Sequence, residues 1–260
     1  MTGTPTVVVA GTAEVLAESV AARLVTRLVD VQSAGQVPHV VLTGGSIARR
    51  VHTALRESAA VSAVDWRRVE LWWGDERFVP TTDPERNERQ AREALLDGLP
   101  LDPARVHPVA ASDGAYGDDV DAAADAYADE LAAAARPEDH GDVPTFDVLM
   151  LGVGPDGHVA SLFPEHPTLH ETRSVVAVRH SPKPPPTRVT MTFPTLGRAR
   201  ELWFLAAGAA KAQPVLGALG GAGPLQVPAA GPRGLERTLW LLDREAAAAL
   251  PDDLPRRGSP

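Results

Sequence analysis

The chain has 260 residues, 44% of them apolar, enough for one large core or two small ones. Its 34 acidic and 25 basic residues give a net charge of -9, which disfavours general polyanion binding but still allows a local basic pocket. With no cysteine, disulfides, thiolate nucleophiles and cysteine metal sites are excluded. The opening MTGTPTVVVA lacks the basic region and long apolar run of a signal peptide, and no apolar run reaches the roughly 18 residues of a membrane span. A soluble, cytoplasmic protein is expected, without a nucleic-acid or membrane partner.

In chain order, TVVVA (Thr6–Ala10) reads as a buried strand. Leu16, Val20, Leu24 and Leu28 then recur at helical spacing over Ala13–Val31. HVVLT (His39–Thr43) is a second strand, followed by GGS and a helix from about Ile47 to Arg56. VELWW (Val69–Trp73) is a third strand. The charges of Asp75, Glu76 and Arg77 are not expected to continue it, so a polar turn is expected to run to about Arg86. Asn87–Leu96 is helical in pattern, a short strand is expected near Val106, and the alanine-rich Tyr116–Ala135 is a helix.

FDVLMLG (Phe146–Gly152) is the next strong strand, followed by SVVAV (Ser174–Val178), RVTMTF (Arg188–Phe193), ELWFLAA (Glu201–Ala207) and RTLWLLD (Arg237–Asp243). Their closer spacing predicts some mixed or antiparallel pairing. HSPKPPPT (His180–Thr187) reads as a rigid, extended segment, Gly217–Gly234 as a loop, and 251–260 as a flexible tail. The whole predicts a single α/β domain over 1–250. Its core is an open, mostly parallel, Rossmann-like sheet flanked by helices, with some mixed or antiparallel strands in the C-terminal half. Ligands of such sheets bind beyond the carboxyl ends of the strands.

Charged and glycine-rich groups gather at those ends. Gly44, Gly45 and Ser46 lie between a strand and a helix, where backbone N–H groups can cradle an anion. The plainer alternative is a helix cap at Ser46. Asp75 can orient a hydroxyl or another side chain, and the planar fork of Arg77 suits a phosphate. Against this stands a solvated turn with a local ion pair. His158 follows a strand among Gly152, Gly154 and Gly157, and a neutral imidazole there can take a proton from water. Asp156 can fix its tautomer; alternatively the histidine only caps a turn. Arg179, Arg188 and Lys211 also fall near strand ends, and with GGS and Arg77 they suggest an anion site. No HExxH motif and no Cys/His cluster announces a metal.

The segments LTGGS, WWGDERFVP, DPERN, LGVGPDGHVASLFP, SPKPPPTRVTMTFPTL and FLAAGAAKA, in this order, resemble the 6-phosphogluconolactonase family. Its superfamily includes glucosamine-6-phosphate deaminases and sugar-phosphate isomerases. In the deaminases the glycine–histidine stretch continues toward Asn–Glu–Pro; here it continues ASLFP, as in the lactonases. Family members often carry Ser–Asn where this chain has Arg86–Asn87. The resemblance implies hydrolysis of 6-phospho-D-glucono-1,5-lactone, a sugar-phosphate substrate, in the oxidative pentose phosphate pathway. It implies no metal or organic cofactor. His158 is implied as general base, with Asp75 the second catalytic candidate. Gly44, Gly45, Ser46, Arg77, Arg179, Arg188 and Lys211 are implied in or beside the substrate pocket. A monomer or weak homodimer is expected.

Overall fold

The computed structural model describes residues 4–251 and 256–258. Its elements run β1 (Thr6–Ala10), α1 (Ala13–Ser33), β2 (His39–Leu42), α2 (Ser46–Glu57), β3 (Glu70–Trp73), β4 (Asp75–Arg77), α3 (Asn87–Ala94) and α4 (Val120–Ala134). Then follow β5 (Phe146–Gly152), β6 (Val175–Val178), β7 (Arg188–Met191), α5 (Phe193–Leu196), β8 (Ala199–Ala206), α6 (Ala212–Leu219), β9 (Arg237–Asp243) and β10 (Arg256–Gly258).

Seven strands form one parallel sheet in the order β10-β1-β9-β8-β5-β2-β3. The central strands are apolar on both faces because both faces are covered. On one side Val40, Leu42, Leu71, Trp73, Met150 and Trp203 pack with Leu16, Val20, Leu24 and Leu28 of α1 and Ile47, Val51 and Leu55 of α2. On the other, Val41, Trp72, Leu149, Leu151 and Phe204 meet Val120, Tyr127 and Leu131 of α4 and the apolar residues of a small second sheet. Burying each such side chain stabilises the fold by about 1.5–3 kcal/mol. Thr12 caps α1 by accepting from the Val15 N–H at 3.3 Å.

The second sheet is antiparallel, in the order β4-β7-β6. The antiparallel pairing expected in the C-terminal half is therefore confined to β6 and β7, whereas β8 and β9 join the parallel sheet. The polar turn expected after β3 begins only after β4. Only Gly74 separates β3 from β4, and Asp75 and Glu76 are buried within a strand. Gly74 serves both sheets: its N–H donates to the Leu42 carbonyl at 3.1 Å, and its carbonyl accepts from Met191 at 2.9 Å. The Tyr127 hydroxyl fixes the preceding residue by accepting from the Trp73 N–H at 2.9 Å and donating to its carbonyl at 3.0 Å.

Near Val106 there is a single bridge to Leu71, not a strand. Helix α6 takes the first residues of the region expected to be a loop from Gly217. The segment 180–187 is not extended: it curls closed, with the Ser181 N–H donating to the Pro186 carbonyl at 2.9 Å. Within the expected tail, Arg256–Gly258 pair in parallel with β1; residues 252–255 and 259–260 lie outside the described residues.

Candidate active site

Strands β8, β5, β2 and β3 are neighbours, and the chain leaving their carboxyl ends walls one cleft. Gly44, Gly45 and Ser46 after β2, Asp75 and Arg77 beyond β3, His158 after β5 and Lys211 after β8 all line it, with Arg188 from β7. One carboxylate thus faces three cations, in a chain whose overall charge is negative. Among the described residues, no group of three or more acidic or histidine side chains converges as metal ligands.

The cap of α2 is Gly45, not Ser46, which occupies the first helical position. Gly45 has no side chain to accept hydrogen bonds, so the first-turn N–H groups of α2 are left for solvent or an anion. Gly44 lets another group approach: a Cβ there would lie 1.9 Å from Asn87 Oδ1.

Asn87, which is not among the site residues expected from the sequence, joins two of them. Its amide oxygen accepts from Arg77 Nη1 at 2.9 Å, and its amide nitrogen donates to the Asp75 carbonyl at 2.9 Å. Glu76 sets the position of Asn87. Its carboxylate accepts from the backbone N–H groups of Asn87 at 2.7 Å and Glu88 at 2.9 Å, pinning the start of α3 to β4. Burial pushes the Glu76 carboxyl up to about 7, against the opposing pull of Arg86 and the backbone donors. Arg86, itself buried, approaches Glu76 at 3.9 Å and donates to the Val109 carbonyl at 2.7 Å.

Arg77 Nη1 also donates to the Glu85 carbonyl at 2.6 Å, while its buried Nε has no partner. Asp75 Oδ2 accepts from the Ser161 hydroxyl at 2.6 Å, a contact the sequence did not announce. Arg188 is more fully engaged. Its Nε donates to Pro185, and its Nη2 to Lys183 and Pro184, at 3.0–3.1 Å, all to carbonyls of the curled segment. Burial draws Arg188 below its ordinary value, and the charge of Asp75 opposes this. Lys211 is likewise drawn down by burial and then by the charge of Lys183.

His158 sits against Phe163 with ring centroids 4.7 Å apart. Its Nδ1 lies 2.5 Å from Asp156 Oδ1. Burial alone would raise Asp156, but hydrogen bonds and charge from His158 and Lys183 outweigh it and hold the carboxyl well below the carboxylate range. An ionised Asp156 only accepts, so Nδ1 carries a proton, and in the neutral ring it is Nε2 that has the lone pair. Gly154 makes room for this ring: a Cβ there would lie 2.0 Å from Nδ1.

Arg179 is not brought to the cleft. It is exposed at the end of β6 and forms a two-point ion pair with Asp121 of α4, at 3.0 and 2.6 Å.

A family model described as glucosamine-6-phosphate isomerases/6-phosphogluconolactonase matches residues 11–240. The chain belongs to this family. It is 59% identical to a 6-phosphogluconolactonase of Streptomyces coelicolor over 98% of both chains. It is 54% identical to that of Mycobacterium tuberculosis, over 82% of this chain and 85% of the relative. Among solved structures, a 6-phosphogluconolactonase from Trypanosoma brucei superposes with a TM-score of 0.82 at 30% identity, covering 96% of this chain and all of that one. No helix among the described residues is long and apolar enough to cross a membrane.

Proposed function

We propose that the cleft hydrolyses 6-phospho-D-glucono-1,5-lactone to 6-phospho-D-gluconate, with His158 as the general base. The observation that carries this is the Asp156–His158 pair at 2.5 Å, set in a cleft lined by cations with free donors. The names of the close relatives support the substrate.

The first turn of α2, Arg77 and Lys211 are the groups with capacity left for the phosphate and the developing charge. Arg188 spends most of its donors on protein carbonyls and acts chiefly through its charge. Asp75, held by Ser161 and Asn87, orients a substrate hydroxyl. Water attacks the lactone carbonyl carbon as its proton passes to His158 Nε2. A new C–O bond forms, the bond from that carbon to the ring oxygen breaks, and the ring oxygen leaves as a hydroxyl after taking up the proton held at His158 Nε2, which returns the ring to its neutral form. A δ-lactone is an activated ester, so a positioned water, a base and charge stabilisation suffice without a covalent nucleophile.

The family model also covers isomerases, which move a carbon-bound proton. Offering the protein the phospholactone and glucosamine 6-phosphate in parallel separates the chemistries. Acid release from the lactone without ammonia from the amino sugar is expected; ammonia release with an unaffected lactone would overturn the proposal.

A further inference from the structure

The curled segment between β6 and β7 presents two different groups to the site. Its carbonyls at Lys183, Pro184 and Pro185 hold Arg188. The Lys183 side chain turns the other way: its ammonium donates to Asp156 Oδ1 at 3.0 Å and lies 3.1 Å from His158 Nδ1. Ser181 fixes the start of this arrangement, its hydroxyl accepting from the Lys183 N–H at 3.2 Å and donating to the Lys183 carbonyl at 2.9 Å.

Nδ1 already carries a proton toward Asp156, so it cannot also accept from an ammonium. Lys183 therefore bonds the carboxylate, and its charge rests beside the imidazole. We infer that Lys183 is a positioning residue that anchors Asp156 and disfavours the imidazolium form of His158, keeping Nε2 free to accept a proton. The inference rests on His158 being the base.

Without Lys183, Asp156 alone would draw a proton onto the ring, and a protonated histidine cannot act as base. The remaining charged groups of the cleft are Lys211, Arg77, Arg188 and Asp75; Phe163 covers a face of the ring, with His166 beyond it. Lys211 lies near enough for the charges of both Lys183 and Asp156 to act on it. It adds to the effect of Lys183 but touches neither Asp156 nor His158 by hydrogen bond among the described residues.

The test is the full-length Lys183→Met protein, read in two ways: the pH profile of kcat, and the NMR titration of the His158 ring, which needs no turnover. Both are expected to move to higher pH by about one unit, a modest shift because the site is partly open to solvent. Lys183→Arg keeps the charge and is expected to restore the wild-type position of both. An unmoved titration in Lys183→Met, or one that moves equally in Lys183→Arg, overturns the inference. If the titration moves but His158→Asn keeps full kcat, the premise about the base fails while the charge contact stands, and the positioning role falls with it. Should Lys183→Met not fold, Lys183→Gln reads the same titration under the same criteria.

Discussion

The two ends of the parallel sheet carry similar residues arranged to opposite effect. At the amino end, Asp147 is shared by Arg27 at 4.0 Å and Arg200 at 3.7 Å, and Glu201 by Arg27 at 3.8 Å and Arg237 at 3.7 Å. His39 is buried there, donating its backbone N–H to Asp147 at 3.0 Å and accepting from Trp72 Nε1 at 3.3 Å. Charges at this end are spent on one another. At the carboxyl end, Lys211 and the first turn of α2 keep donors in reserve around a single lining carboxylate. Charged residues alone do not mark a site; unspent ones gathered at strand ends do.

Removing the base should produce the largest effect, and only at the carboxyl end. His158→Asn is expected to lower kcat by about 10²–10⁴-fold with little change in KM, since the ring meets water and not the phosphate. Steady-state kinetics corrected for the spontaneous reaction would show this. A near wild-type kcat in a folded variant would reduce His158 to part of a turn and make Asp75 the next base to examine.

The amino end should instead contribute to acid stability. Burial pushes His39 down to about 4, although Glu70 opposes it. The unfolded chain takes up this proton near 6.5, so the stability contribution is intact above that pH and is lost as pH falls toward 4. The loss amounts to roughly 3 kcal/mol. In His39→Gln, the decline in urea-unfolding free energy over this window should become shallower, with kcat unaltered at neutral pH.

Arg77→Ala should sharpen the contrast. Losing a charged donor to the substrate is expected to raise KM by about 10- to 100-fold. The smallest effect belongs to Arg179→Ala. Its exposed pair with Asp121 is worth about 0–1 kcal/mol, and KM should not change. A rise in KM there would place Arg179 in the pocket after all.

Much of this organisation is legible in the sequence. Apolar runs such as Thr6–Ala10 and Phe146–Gly152 announce strands because their apolar character is nearly continuous, and GGS and His158 stand out because each follows such a run. What escapes is non-local. Three charged residues at Asp75–Arg77 give no strand periodicity; they become β4 only because β7 pairs with them and Glu76 is satisfied by the start of α3. Arg179 and Arg188 read alike as cations at strand ends, but side-chain direction and partners separate them. One meets Asp121 in solvent and the other three carbonyls beside the cleft. Lys183 hid in a proline run that reads as extended, and only its closure brings the ammonium to Asp156.

The central claim is that the carboxyl-end cleft binds a phosphorylated lactone and opens it. The most direct measurement follows the disappearance of freshly generated 6-phospho-D-glucono-1,5-lactone against an enzyme-free blank, beside the unphosphorylated lactone at the same concentration. The expected result is rapid loss of the phosphorylated lactone and much slower loss of the other. Decay of the phosphorylated lactone at the blank rate, or equal acceleration of both, would contradict the claim.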